Sequence, residues 1–565
     1  MFPECKRFAL AAIFALPFVG RSTAAEALVR ALPEKFAIDV PQASETSTVA
    51  VAAAELKLHL DLVFGVDVPV RHGGGSPGAF VFAVAEDDAL PPEEARYDVH
   101  ADGVRLRGGA CGGVDHAVHA FLEDELGVRW PAVDDIAYEP RRELSLTMGE
   151  RVWRPAFRLR TIRQITNFGG SDCSLWKRRM REGGHNAPRF GHAFTRYWDK
   201  YAKSHPEWFA MRKDGKRIPA GAPERAIDDP ALVSGKAAKR IAMCVSNESL
   251  VDHVVEEWRR SGMPEYVNVC ENDANALNIC HCASCRTLDA PPPPDAQDWC
   301  PYWRTDRYVD FVRRVLLKVR RYRPDAKAGF YAYNASRDPP RRLRLPEGAV
   351  VALVPTIFDA PSIAAYIDGW KKAGMTEFTY RPNRHYYYDL PLLPLGCEKH
   401  LLEEMRTFAR AGACGFSYDS KAPTGAFEWI RDYILAKGMQ DPSQSFERWE
   451  DHYCSAFGSA ASDVKAYFRY WRETVWEGRI EKNLRKLTDW RPGFRVDRAL
   501  TANMGDYYRD DDFAAAGVHL AHAAVHAGDR ADVRRRIEKL AAAHDKARQF
   551  VQEAMVGTKE SERTK

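Results

Sequence analysis

Tyr266-Val-Asn-Val-Cys-Glu-Asn-Asp-Ala-Asn-Ala-Leu-Asn-Ile-Cys-His-Cys-Ala-Ser-Cys285 decides how this chain is read. A short β-type run, Tyr266 to Cys270, leads into two carboxylates, Glu271 and Asp273, and then into three closely spaced cysteines. The carboxylates stand where a strand becomes a loop. In a parallel α/β barrel the reactive groups gather at that end of the strands, because the strand fixes the backbone while the loop leaves the side chain open to a ligand. Alternate residues of an extended chain point the same way, so Glu271 and Asp273 are expected on one face.

Outward from this stretch the pattern repeats. Strands are predicted at Phe157 to Ile162, Lys327 to Tyr333, Val350 to Val354, Glu377 to Tyr380 and Gly415 to Tyr418. Helices are predicted at Asp306 to Arg321, Ser362 to Ala373 and Glu398 to Ala411; in the first, Tyr308, Phe311, Val312, Val315, Leu316 and Val319 recur on one face. Strand-then-helix alternation over residues 151–440 predicts an α/β fold with a parallel sheet, a (β/α)8 TIM-like barrel with insertions.

Residues 26–150 read as a separate α+β domain, with helical spacing at Ala53, Leu56, Leu60 and Val63 and again at Val114, Ala117, Phe121 and Leu122. Gly78 to Val84 reads as a buried strand, and Tyr97 to Leu106 as a hairpin turning at Asp102-Gly103. Residues 441–565 lose the strand signal and read as a helical domain, with helices at Phe446 to Phe457, Ala460 to Leu487, Asp511 to Ala527 and Asp529 to Met555. Residues 1–25 read as a secretory signal: Lys6 and Arg7, an apolar run from Phe8 to Gly20, then small residues at Ser22 to Ala25. That run is too short to span a bilayer, and no later run reaches the roughly 20 apolar residues required, so an exported periplasmic or extracellular protein is expected.

Net charge is +4 over 565 residues with acids and bases interspersed, which gives no electrostatic case for nucleic acid or an anionic membrane. Arg534-Arg-Arg536 reads as a solvated helix face. A Gly-rich phosphate loop after a strand, a Gly-x-Ser-x-Gly elbow and a His-Glu-x-x-His pair are all missing from the sequence, which removes support for nucleotide-dependent, serine-esterase and zincin chemistry. The composition sets no oligomeric state.

Glycosidic cleavage commonly uses two carboxyl groups, one to protonate the leaving oxygen and one to activate water or attack carbon. Glu271, Asp273 and Asp419 are the candidates for these roles, with Asp389 a further acid near a strand end; the bland alternative is that Glu271 and Asp273 cap the following loop. Sugar rings stack on aromatic faces, for which Tyr331, Tyr333, Tyr380, Tyr386 to Tyr388 and Trp429 are available, while His192, Arg381, Asn383, Arg384 and His385 are candidates for binding hydroxyls. Cys280, Cys282 and Cys285 have zinc-like spacing, which His281, Cys270 or Cys300 would complete; a disulfide, inert thiols, a structural zinc and a catalytic thiol all remain open. No other cofactor is expected. Removing Cys5 with the signal leaves 11 of 12 cysteines, so one stays outside any set of pairs.

These motifs resemble the exported bacterial proteins grouped as DUF4838. The resemblance rests on Asn272-Asp273 with the Cys280-x-Cys282-x-x-Cys285 cluster, the Tyr308 to Val319 helix, Gly191-His192, His205 to Phe209, Cys244-Val-Ser-Asn247 and Trp429 to Pro442. Ala52 to Leu56 and Gly112 to Trp130 are similar to the small domain that precedes the barrel in α-glucuronidases and β-hexosaminidases. The resemblance implies a glycoside hydrolase-like barrel. It departs from the adjacent Asp-Glu pair of β-hexosaminidases, since Glu271-Asn-Asp273 separates the acids; an α-glucuronidase-like arrangement fits better, with Arg381 and Arg384 for a substrate carboxylate. The expectation is an exported glycoside hydrolase acting on oligosaccharide or polysaccharide fragments, Glu271 or Asp273 being the acid and Asp419 the base or nucleophile. The alternatives are a non-catalytic carbohydrate-binding protein on the same barrel and a surface scaffold whose helices bind another protein.

Overall fold

The computed structural model describes residues 27–563, apart from 43–46, 74–76, 164–166, 169–170, 220–221, 228, 234, 275–277, 295–301, 356–359, 384–391, 420–424 and 484–499. Asp389, Cys300, Tyr386 to Tyr388 and the candidate ligand residues Arg384 and His385 lie outside the described residues, as does the expected signal segment.

The strands that carry the candidate site are Leu159–Arg163, Tyr266–Asn268, Lys327–Ala332, Ala349–Leu353, Glu377–Tyr380 and Gly415–Asp419. They form one six-stranded sheet in which every pairing is parallel. In space the Leu159 strand lies beside the Gly415 strand, followed by the Glu377, Ala349, Lys327 and Tyr266 strands. All five residues of Ala349–Leu353 are buried, as a strand covered on both faces requires. The helix Thr305–Val319 buries all six apolar residues whose spacing marks its inner face, and the helices Ala360–Lys372 and Glu398–Arg410 lie within two residues of their predicted ends.

Of the eight strands expected, the described residues form six paired strands of one open sheet. Between the Leu159 and Tyr266 strands the described residues add no further strand to this sheet. Instead the segment from Gly183 to Ala193 crosses the gap: Gly183 bridges Arg160, Asn268 Nδ2 donates to Gly191 O (2.8 Å), and Ala193 N–H donates to Cys270 O (2.9 Å). Phe190, on this segment, presses into the space a Cβ on Gly329 would occupy, so any larger residue there would displace the Phe190 ring.

The N-terminal part has its own mixed six-stranded sheet, with the helices Thr48–Phe64 and Gly113–Asp124 packed on it. Ser47 caps the first helix by accepting from Ala50 N–H (3.2 Å), and Gly65 ends it in the left-handed region at φ 68°. Buried ion pairs tie this part to the rest: Arg179 to Glu55 (3.0 Å), Arg160 to Glu93 (2.5 Å) and Arg536 to Asp135 (2.8 Å). Arg536 therefore corrects the reading of its basic cluster as a solvated face, because its guanidinium is buried against Asp135 while Arg534 and Arg535 stay exposed. The C-terminal region is helical, including Phe446–Cys454, Ala461–Tyr470, Asp510–His526 and Ala531–Arg563. The helix from Ala461 widens into π-type turns over Trp471–Ile480 rather than continuing as α. No helix among the described residues is long and apolar enough to cross a membrane.

Candidate active site

Because the sheet is parallel, the loops after Asn268 and Asp419 leave it on the same edge. The Tyr266 strand stops at Asn268, earlier than expected, so Glu271 and Asp273 are placed by loop contacts rather than by strand alternation. Met243 N–H donates to both Glu271 oxygens (3.2 and 3.3 Å), and Asn272 N–H to one of them (2.9 Å). Asn272 is buried and holds the loop through Nδ2, which donates to Ile241 O (2.8 Å) and Phe194 O (3.1 Å). Burial pushes the Glu271 carboxyl up to about 7, against the opposing pull of the two backbone donors. It faces a narrow hollow of about 20 Å³, shared with Tyr308, Tyr331 and Tyr333, that has room for one water molecule.

Asp273 lies at the rim. It pairs with the exposed Arg240 (3.0 Å) and accepts from the Tyr333 hydroxyl (3.4 Å). His192 is held by the backbone of Glu271: its Nδ1 lies 2.6 Å from Glu271 O, and since a carbonyl only accepts, Nδ1 carries the proton. Burial lowers the His192 pKa, so the ring is neutral near pH 7 and Nε2 is an acceptor.

A larger hollow of about 280 Å³ opens on the inner face of the sheet, lined among others by Thr161, Arg163, Phe190, Tyr331, Thr379 and Arg381. Tyr331 borders both hollows, fixed by its hydroxyl donating to Phe190 O (2.8 Å). Arg381 donates to Asp419 Oδ2 and to Asn383 Oδ1, each at 2.8 Å, and lies over the Tyr331 ring with its guanidinium carbon 5.0 Å from the centroid. Asp419 is thereby held in a buried ion pair, and Asn383 orients Arg381 from within the same cluster. Arg163 Nη1 and Arg381 Nε are buried donors with no acceptor among the described residues, and both belong to side chains lining this hollow. Two guanidinium donors with unused capacity suit an anionic group.

Tyr380 is corrected. It faces away from the hollow and stacks on Phe408 (centroids 3.8 Å apart, planes at 11°), where it is core. Its neighbours Thr379 and Arg381 take the inner face by strand alternation. Trp429 is likewise buried, edge-on to Trp176. Sequence reasoning missed Arg163, although Leu159, Thr161 and Arg163 follow the period of two that puts all three on the lined face. It also missed Glu182, whose carboxyl burial raises to about 7 while Ile162 N–H donates to it (3.0 Å). No pattern in the sequence announces a loop glutamate of this kind.

The cysteines converge differently from the expected sets. Cys280, Cys282 and Cys285 meet Cys244, not His281 or Cys270, with all four Sγ atoms within 4.8 Å of one another. Cys270 sits instead in an apolar cluster with Tyr331, Ala352 and Val354, which pushes its thiol up.

Residues 130–469 match the family model described as a domain of unknown function, DUF4838. The chain belongs to the DUF4838 family. No curated protein sequence matches it. Among solved structures it is similar to a mutant β-hexosaminidase of Streptomyces plicatus in complex with its product GlcNAc, at 14% identity over 78% of this chain and 93% of that one, with a TM-score of 0.41. It is similar also to the GH20 β-N-acetylhexosaminidase of Streptomyces coelicolor (14% identity, 78% and 94% covered, TM-score 0.42). A third is a GH138 enzyme targeting pectin rhamnogalacturonan II (11% identity, 92% and 70% covered, TM-score 0.37). Overlaps this loose decide neither activity nor substrate.

Proposed function

We propose that this DUF4838 protein is an exported glycoside hydrolase acting on polysaccharide-derived glycans that carry uronic acids, built on a barrel-like sheet. Glu271 is the proton donor and Asp419 the opposing carboxylate. The observation that carries the reading is Glu271 itself: a buried carboxyl at the C-terminal edge of a parallel sheet, with a pKa near 7 and space beside it. In the step we assign to it, the Glu271 proton passes to the glycosidic oxygen as the C–O bond breaks, and water attacking the anomeric carbon gives its proton to Asp419. Arg163 and Arg381 support the acidic substrate, since both side chains line a hollow near the lower end of the range of small-ligand sites, about 300–1,000 Å³, and each keeps a buried N–H with no acceptor among the described residues. Asp273, partly exposed and paired with Arg240, is better suited to the rim.

One observation favours a non-catalytic carbohydrate-binding protein instead: Arg381 already engages Asp419, which occupies one of that carboxylate's oxygens. A screen of uronosyl and neutral oligosaccharides separates the readings, with product analysis beside calorimetry. Glu271→Gln is expected to lower kcat by roughly 10²–10⁴-fold, as loss of a general acid does. Arg163→Gln is expected to raise KM about tenfold on uronosyl substrates and to leave neutral ones unchanged. Binding without turnover assigns the second reading, and wild-type turnover in Glu271→Gln, Asp273→Asn and Asp419→Asn alike removes the first.

A further inference from the structure

Cys244 Sγ lies 3.7 Å from Cys282 Sγ and 3.9 Å from Cys285 Sγ, and Cys280 completes the group. Four thiolates bound to one zinc ion at about 2.3 Å stand at the corners of a tetrahedron with edges of about 3.8 Å. The sulfurs thus already have the spacing of a closed tetrathiolate centre. Disulfides would draw them together two by two, whereas Cys244 is nearly equidistant from two partners. The surroundings suit charged sulfur. Met211 N–H donates to Cys280 Sγ (3.3 Å) and Cys285 N–H to Cys282 Sγ (3.4 Å), and the Ser246 hydroxyl contacts Cys285 (3.1 Å) and Cys282 (3.6 Å). Arg217 reaches Cys244 and so places a cation against a cluster that would carry a net charge of −2 with zinc bound.

We propose that Cys244, Cys280, Cys282 and Cys285 bind a structural zinc ion that fastens the chain between the Leu159 and Tyr266 strands to the loop carrying Glu271. Before Cys244 the described residues of this region form one two-residue hairpin pairing, Asn167–Phe168 with Ser171–Asp172, and short helices such as Tyr197–Tyr201, Pro206–Trp208 and Gly235–Lys239, too short to hold themselves together. What orders it converges on the cysteines: Cys244 N–H donates to Trp208 O and His281 N–H to Met211 O, each at 2.7 Å. A metal at this junction links segments that share no sheet, the setting in which metal binding supplies folding free energy. Its reach extends to the acid, because Met243, the residue before Cys244, donates to Glu271. The metal is not a catalytic group here, and the proposal stands whether or not the protein cleaves glycans.

The test uses the full chain purified without added metal. Elemental analysis is expected to find about one zinc per chain, and stepwise mercurial titration is expected to release it into a chromogenic chelator as four thiols react. Cys244→Ser and Cys282→Ser are each expected to lower bound zinc at least about tenfold, and Cys270→Ser, outside the cluster, to leave it unchanged. A cysteine variant that fails to fold loses metal for trivial reasons, so the wild-type release carries the decision. An intact mass short of two hydrogens for each bond formed among these cysteines overturns the proposal, as do four thiols that react freely in a zinc-free native chain.

Discussion

Glu271 and Asp419 stand at the same edge of one parallel sheet, yet their surroundings divide two ways of burying a carboxyl. Around Glu271 the donors are backbone N–H groups from Met243 and Asn272, and the nearby Arg307 is committed to Asp289. Dipoles without a bonded cation do not compensate for lost water, and the carboxyl keeps its proton to about pH 7. Around Asp419 a guanidinium bonds directly at 2.8 Å, and the pair is buried as a unit. Arg381, one residue past the adjacent Glu377–Tyr380 strand, supplies the bonded cation at Asp419. Two-carboxylate chemistry needs two acids in unlike surroundings, and these two differ in what donates to them.

The comparison breaks most visibly if the ion pair is opened. Arg381→Met leaves Asp419 buried without its cation, which is expected to cost about 3–5 kcal/mol in denaturant unfolding. The paired change Arg381→Met with Asp419→Leu is expected to recover most of that loss, since removing both charges removes the penalty. Glu271→Gln at pH 5 is expected to stay within about 1 kcal/mol of wild type, because it replaces one neutral polar group with another. An Arg381→Met variant as stable as wild type would mean that Asp419 does not depend on its partner, and the contrast with Glu271 would fall.

How much of this was legible in the sequence follows from which forces act locally. The six strands were readable because Val350 to Val354 or Gly415 to Tyr418 are apolar runs bounded by turn residues, and burial in a parallel sheet demands such runs. The gap between the Leu159 and Tyr266 strands was not readable: the segment from Gly183 to Ala193 is held by a pair of backbone hydrogen bonds with Arg160 and by one each from Asn268 and to Cys270, which leave no periodicity. At the site, Glu271 was found from its place after a strand, whereas Tyr380 was misassigned even though alternation separates it from Arg381. Cys244 was passed over as a ligand because it lies far upstream of Cys280 and only the tertiary fold brings it there. The raised pKa of Glu182 is equally a tertiary effect, since it comes from burial.

A smaller effect tests the protonated half of the comparison. With its pKa raised from 4.5 to about 7, Glu271 binds more proton in the folded chain than in the unfolded chain between those values. Its contribution is therefore fully present below about pH 4.5 and is lost as pH rises to 7 and beyond. Glu271→Gln removes the titration, so its melting temperature relative to wild type is expected to rise with pH, by about 2 °C between pH 5 and pH 8. Thermal scans of both proteins across that range check it, and a constant offset would mean that Glu271 is not buried as a neutral acid.

The smallest effect belongs to Asp273, and it decides which of the two neighbouring acids matters. Its partner Arg240 is half exposed, and exposed pairs contribute little, so Asp273→Asn is expected to change unfolding by less than about 0.5 kcal/mol at any pH from 5 to 8. High salt should reduce even that, since solvent ions screen such a pair and leave Glu271 untouched. The same variant should keep turnover within about tenfold of wild type, because Asp273 lines neither hollow. A loss from Asp273→Asn larger than that from Glu271→Gln would move the proton donor to the rim, to the carboxylate that the Tyr333 hydroxyl and Arg240 already hold.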